Sequence, residues 1–283
     1  MKWVSISWAL LWLPLRRFLR DGGNQFAGNI AFFILLSLFP FLIFLTSIAA
    51  SFEDTHSAAR FIGYLLETLP PMAAQAVEPI VNDVISQNQR FFLTLSILVV
   101  IWSSANAIEA VRAGLNSVYH VALARSFIFR RIQAFVFVVM AAIAILIAMN
   151  LLVLAPVLFS YLPMAETLRE QVDPVIAIGR YAAAPLILLV TNMFLYRYLP
   201  NVEHGWRQVA PGAVLSLAIW LVLVQGFAVY VRNFGDYSVI YGSLGGVIVL
   251  LLFLYLSAGA FLLGAEFNVV LRERLTQNEA QER

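Results

Sequence analysis

Few residues in this chain are equipped for chemistry, and most of those stand in apolar company. Glu266 closes the run "YGSLGGVIVLLLFLYLSAGAFLLGAEFN", with Asn268 two residues on. A carboxylate there can hold a proton, pair with a cation or meet a polar cargo. Glu109 and Arg112, in "SSANAIEAVRAGLNSVY", are three residues apart and share a helical face. They read either as a local ion pair or, with Ser103, Asn106 and Asn116, as one polar wall of a pathway. Arg180, in "IGRYAAAP", can snorkel to the membrane surface or meet a lipid phosphate. The three histidines, His56, His120 and His204, are far apart and none belongs to an HExxH pattern. The sequence holds no G-x-S-x-G elbow, phosphate-binding P-loop or dinucleotide fingerprint. With no Cys either, disulfides, thiolate metal sites and Cys nucleophiles are excluded. These residues point to no catalytic site, no metal and no cofactor, and so to a protein that is not an enzyme.

The elements that position these groups follow from composition. The chain has 283 residues, 61% hydrophobic and 12% charged, with a mean hydropathy of +0.85. Soluble domains carry about 25% charged residues. Apolar runs of at least about 18 residues recur, each long enough to cross a bilayer. They are continuous rather than alternating, which selects helices over a barrel. The expectation is an all-α polytopic membrane protein, a single membrane domain over residues 1–283. Its six spans fall at about 26–52, 91–111, 133–161, 175–199, 210–232 and 239–269. Residues 1–22 begin like a signal peptide, but Arg16, Arg17 and Arg20 follow the apolar part and no small-residue cleavage site comes after. They read as an interfacial helix with Trp3, Trp8 and Trp12 at headgroup depth. The first external loop, about 53–90, reads as short amphipathic helices broken at Pro70 and Pro71, with a cap over a cavity as the sharper alternative.

Lys and Arg set the orientation. With the N-terminus inside, the inner segments hold 13 of the 18 and the outer segments 5. An even number of spans returns residues 270–283 to the same face. Both termini are therefore expected in the cytoplasm. The net charge of +2 gives no reason to expect nucleic acid as a partner.

A charge in hydrocarbon costs several kcal/mol by most estimates, so it faces a bundle interior or a wet cavity. The candidate pathway or gate residues are Asn29, Pro40, Asn106, Glu109, Arg112, Asn116, Arg180, Glu266 and Asn268. Pro40 removes a backbone donor inside the first span and kinks it or frees the carbonyl near Leu36. Small residues mark close helix contacts: Gly28, with Ala27 and Ala31, in span 1, and Gly242, Gly246, Ala260 and Gly264 in span 6. Ser257, Ala260, Gly264 and Asn268 form one stripe; Tyr255, Gly259, Leu262 and Glu266 form another. Span 6 runs inward, so Glu266 lies near the cytoplasmic end. A helix C-terminus carries partial negative charge, which disfavours a carboxylate. Arg272, or an Arg from another inner segment, is its expected partner in an interhelical ion pair.

The blocks "AGNIAFFILLSLFP" (27–40), "YRYLPN" (196–201), "PGA" (211–213), "YGSLGGVI" (241–248) and "LLGAEFN" (262–268) together resemble the YihY/BrkB family of bacterial inner-membrane proteins. The resemblance covers nearly the whole chain, except segment 53–90 and the two tails. It implies about six helices in the inner membrane and a link to envelope lipids and resistance to host killing. It also brings an old label, ribonuclease BN, which no metal cluster or basic stacking patch in this sequence supports. Three readings follow. The first is transport or flipping of an anionic lipid or other envelope amphiphile, with no ATPase of its own and membrane lipids as partners. The second is a non-transporting scaffold whose polar residues cement helices. The last is the nuclease. The cargo, the energy source and the oligomeric state are not legible in the residues.

Overall fold

The computed structural model describes residues 12–51, 89–121, 126–149, 185–233 and 243–281. Seven helices and no strand occur among them. They are α1 (12–20), α2 (Gly23–Ser51), α3 (Gln89–Val118), α4 (Phe127–Met149), α5 (185–198), α6 (Trp206–Asn233) and α7 (Ser243–Gln281). The all-α expectation holds for these residues. Trp3, Trp8, Arg180, Gly242 and the amphipathic helices expected over 53–90 lie outside them. Two helical stretches among the described residues, Trp206–Val231 and Gly245–Gln277, are long and apolar enough to cross a membrane, and Gly23–Leu38 is a shorter apolar one.

Helix α7 has 39 residues and rises about 58 Å, nearly twice the ~30 Å thickness of a hydrocarbon core. The helix therefore runs on well past Glu266, which removes the expected helix-end penalty on that carboxylate. Pro40 does not end α2, which continues through it from Gly23 to Ser51.

The packing is built around α7, which lies against α6, α2 and α3; α2 packs on α3, and α3 on α4. The core is aliphatic and aromatic. Ile30, Leu115, Tyr196, Leu199, Val209, Leu262 and Val270 are all nearly or fully buried, while large apolar side chains such as Phe127, Ile128, Val214 and Val222 face outward. That outside-apolar pattern is the surface of a helix bundle that sits in lipid. At the centre, Gly114 of α3 opens the space filled by Leu262 of α7 and Ile30 of α2: a Cβ there would stand 3.0 Å from Leu262 and 3.4 Å from Ile30.

Two local devices bring polar groups to one end of this core. Helix α1 folds back onto α2 through Gly22, whose φ of +77° suits glycine, and Gly23, where a Cβ would collide with the Phe18 ring. Helix α3 ends in a six-to-one cap. The Val121 amide donates to the Asn116 carbonyl (2.9 Å) and the His120 amide to the Ser117 carbonyl (3.1 Å), with His120 in the left-handed region at φ +53°. The Ser117 hydroxyl then donates to the Asp21 carbonyl (3.3 Å), tying the two turns together.

Candidate functional site

The end of the bundle marked by these turns holds three polar groupings. The first surrounds Arg112, which is fully buried. Its guanidinium donates to Glu109, to Gln133 Oε1 at 2.8 Å and to the Leu199 carbonyl at 3.3 Å. Gln133 in turn donates to the Tyr198 carbonyl (2.5 Å), and Arg130 donates to the other Glu109 oxygen (3.1 Å). Nearby, Arg131 donates to Asn106 (3.2 Å) and lies over the Trp102 ring, 4.5 Å from its centroid. Asn116 accepts from the Asn201 amide (3.0 Å). The local Glu109–Arg112 pair expected from their spacing is present. Its neighbours Asn106 and Asn116 are drawn to α4 and to the turn after α5. A buried guanidinium held on three sides is a fastener between α3, α4 and α5.

The second grouping is the seam between α6 and α7. A Cβ on Gly212 would come closer than 3.0 Å to the Gly264 carbonyl and to Asn268; one on Gly264 would meet the Gly212 carbonyl, and the Tyr196 hydroxyl at 2.6 Å. The two backbones touch because both positions lack side chains. Pro211 sits inside α6 and has no N–H. Asn268 secures the backbone around it, accepting from the Gly212 amide (2.6 Å) and donating to the Val209 carbonyl (3.2 Å). Tyr196 donates its hydroxyl to the Phe261 carbonyl (2.5 Å), locking α5 onto α7. Of the expected packing residues, Gly264, Ala260 and Gly246 are buried. Gly28 is not at a contact: a Cβ there meets nothing within 4 Å. The close approach in α2 falls on Ala27 and Ala31, both fully buried.

The third grouping is Glu266. It is 1% exposed, and neither carboxylate oxygen has a hydrogen-bond partner among the described residues. The expected ion pair with Arg272 is absent. Six residues along a helix is about 120° short of a full turn, so Arg272 leaves the face of Glu266 and is exposed. Seven residues nearly restore the face, and Glu273 lies there. It takes Arg17 in a two-pronged bridge of 2.9 and 2.6 Å. Asp21, from the α1–α2 turn, accepts from Arg20 at 3.0 Å and lies 3.6 Å from His120. Arg17, Arg20, Asp21 and Glu273 are the charged groups close enough to act on Glu266.

Beside it opens a cavity of about 530 Å³, lined by Tyr119, His120, His204, Gln208, Asn268 and Arg272 among others. Among the described residues Arg272 has no carboxylate within ion-pair distance, because Arg17 already occupies Glu273. The Tyr119 and His204 rings lie 4.4 Å apart in the cavity wall. Burial pushes His204 below its ordinary value of 6.5, and Arg272 adds to the shift, so the ring is neutral.

Asn29 is exposed and, like Pro40, stands apart from these groups. Arg17, Asp21, Arg130, Gln133, Tyr119, Tyr196 and Gly212 were not among the candidates. For Arg17 and Arg130 the sequence signalled only the inner face; for Gly212 the signal was the "PGA" block. Among the described residues no three of His, Asp and Glu come together to hold a metal ion.

Residues 15–283 match the family described as virulence factor BrkB. A Bacillus subtilis (strain 168) protein that carries the name ribonuclease-like protein YfkH is 32% identical over 258 residues, 91% of this chain and 93% of that protein. A UPF0761 membrane protein of Alteromonas mediterranea is 26% identical over 269 residues, 94% of this chain and 89% of its own. A UPF0761 membrane protein of Xanthomonas oryzae pv. oryzae is 26% identical over 252 residues; there the chain spans 57% of the relative's length. No solved structure matches.

Proposed function

This chain belongs to the BrkB family of integral membrane proteins, and on that premise we propose that it carries an anionic lipid or another envelope amphiphile across the bacterial inner membrane. In this reading it crosses the membrane six times with both termini in the cytoplasm. It is not an enzyme and uses no cofactor, nucleic acid or ATPase of its own.

The observation that supports this reading is the cavity of about 530 Å³ between the ends of α3, α6 and α7. It offers one guanidinium with no ion pair among the described residues, Arg272, with Gln208, Thr276 and Gln277 as neutral hydrogen-bonding groups; Glu273 also lines it, its charge offset by Arg17. That set suits a singly charged phosphate-type headgroup. The outward faces of α4 and α6 are apolar, with Phe135, Val139, Leu221 and Val229 exposed, and suit acyl chains. A mainly apolar cavity with a few polar groups fits an amphiphile better than a wholly polar solute.

The test is leaflet exchange. Purified protein is placed in liposomes that contain fluorescent phosphatidylglycerol, and the outer leaflet is quenched chemically. The proposal expects faster loss of protected fluorescence than in empty liposomes, and slower loss with Arg272→Gln. Rates equal to those of empty liposomes across anionic and zwitterionic lipids would overturn it.

The scaffold reading draws on one specific observation, the backbone contact between Gly212 and Gly264, which favours rigidity over motion along the α6–α7 seam. It expects Arg272→Gln and Glu266→Gln to leave the cellular phenotype intact while Gly264→Leu abolishes it. The ribonuclease-like name belongs to the Bacillus relative; RNA turnover by pure protein, lost with a named acid, is what would bring that activity here.

A further inference from the structure

Three carboxylates, Asp21, Glu266 and Glu273, gather with two guanidiniums, Arg17 and Arg20, among the described residues. Each guanidinium is already engaged: Arg17 holds Glu273 with two bonds and Arg20 holds Asp21 with one. Glu266 is the acid left over, and it is also the most deeply buried of the three. Both of its oxygens are closed off from solvent and neither has a partner. An ionised carboxylate in such a place loses its hydration and gains no hydrogen bond in return, and the pull of Arg17 and Arg20 is opposed by Asp21 and Glu273, whereas the protonated acid is neutral.

The groups that face Glu266 come from every side. Helix α1 supplies Arg17 and Arg20 and the turn after it Asp21; α7 supplies Glu273; the turn after α3 supplies Tyr119 and His120, the latter 3.6 Å from Asp21. Helix α6 presents to this stretch of α7 the uncharged Val209, Gly212 and Ser216. Glu273 lies two turns along α7 on the same face as Glu266, and Arg17, bonded to Glu273, also acts electrostatically on Glu266.

We propose that Glu266 is the proton-binding residue of the transport cycle: it carries a proton while Arg17 is bridged to Glu273, and releases it when Arg17 crosses to Glu266. The step conserves charge and atoms. The O–H bond of Glu266 breaks, the proton passes to water admitted from the cavity side past Tyr119, and the new carboxylate takes the guanidinium that Glu273 gives up. Glu273 is half-exposed and is left hydrated. Coupling requires in addition that the protonated site open to the outer face, which makes proton movement an energy source for moving the amphiphile. This inference rests on the transport reading for its purpose, but the protonation itself does not depend on it.

The experiment is infrared difference spectroscopy of the full chain in liposomes as pH is stepped upward from about 6, where ordinary carboxylates, with values of about 4, are already ionised. A protonated carboxyl shows a carbonyl band that an ionised one lacks. Wild type is expected to lose such a band, Glu266→Gln to lack it, and Glu273→Gln to show it weakened because Arg17 is released toward Glu266. The inference is overturned if wild type shows no protonated-carboxyl band, or if Glu266→Gln shows the same band as wild type. Leaflet exchange measured on the same liposomes with and without a proton gradient separates the two proposals. A Glu266 band without lipid movement leaves the proton site standing and overturns transport; gradient-independent movement without the band does the reverse.

Discussion

Arg112 and Glu266 are both buried ionisable residues at the same end of the bundle, and their surroundings differ in kind. Arg112 donates to a carboxylate, an amide oxygen and a backbone carbonyl, and the carboxylate has a second cation in Arg130. Among the described residues Glu266 has no hydrogen-bond partner, though two arginines lie close enough to feel it. A fully satisfied buried charge fixes geometry, because moving any member leaves an orphan. An unsatisfied one is held by burial alone and changes state when its surroundings shift. On this contrast the Arg112 network is a structural fastener, and Glu266 is the residue on which the proton proposal rests.

Substitutions can break or sharpen that contrast. The largest effect is expected at the seam that holds both regions in place. Gly264→Leu drives a side chain into the Gly212 carbonyl and the Tyr196 hydroxyl, and folded protein is expected to be lost from membranes. Gly28→Ala, with open space around it, is expected to leave expression unchanged, as size-exclusion profiles of both variants would report. Arg112→Met comes next. It strands Gln133 and the Leu199 carbonyl and removes one of the two cations on Glu109, at an expected cost of about 3–5 kcal/mol. A thermal midpoint in detergent close to that of wild type would remove Arg112 from the architecture.

Acid pH is a smaller lever. Because His204 is held below 6.5, the unfolded chain binds its proton first as pH falls. The contribution of neutral His204 is thus fully present above about 6.5 and declines below it, by at most about 1.4 kcal/mol per pH unit. His204→Phe keeps a ring against Tyr119 and is expected to flatten that part of the stability profile. The smallest effect belongs to Arg17→Gln. Its bridge to Glu273 is partly exposed, and no more than about 1 kcal/mol is expected in a denaturation series. A much larger loss would make that bridge a fastener and remove the mobile partner that Glu266 requires.

The sequence carried the local parts of this account and little of the tertiary part. The spacing of Glu109 and Arg112 is enough to pair them within one helix. Nothing in that spacing points to Gln133 on α4 or the carbonyl of Leu199, since those contacts depend on how helices far apart in the chain pack. The small-residue stripe of α7 led correctly to Gly264, but one stripe does not name the surface it meets, and Gly212 lay beside a proline in a block noted only for its resemblance. Asn268 reads from sequence as a gate residue; it lines the cavity, and its amide also braces the backbone of α6 around Pro211. For Glu266 the chemistry points to Arg272 or to an Arg of another inner segment; Arg17 and Arg20 of the N-terminal segment do lie close enough to act on it, without a hydrogen bond, and the helix continues to Gln281. Once the helix is continuous, its periodicity alone turns Arg272 away and brings Glu273 into line.

The contrast between the two buried charges is tested most directly by measuring stability and lipid exchange together on Glu266→Gln. The account predicts a thermal midpoint at or above that of wild type, since a neutral amide replaces an unpartnered acid, together with loss of the acceleration that a proton gradient gives to anionic lipid exchange. A marked fall in the midpoint, with gradient-driven exchange retained in the protein that remains folded, would contradict it.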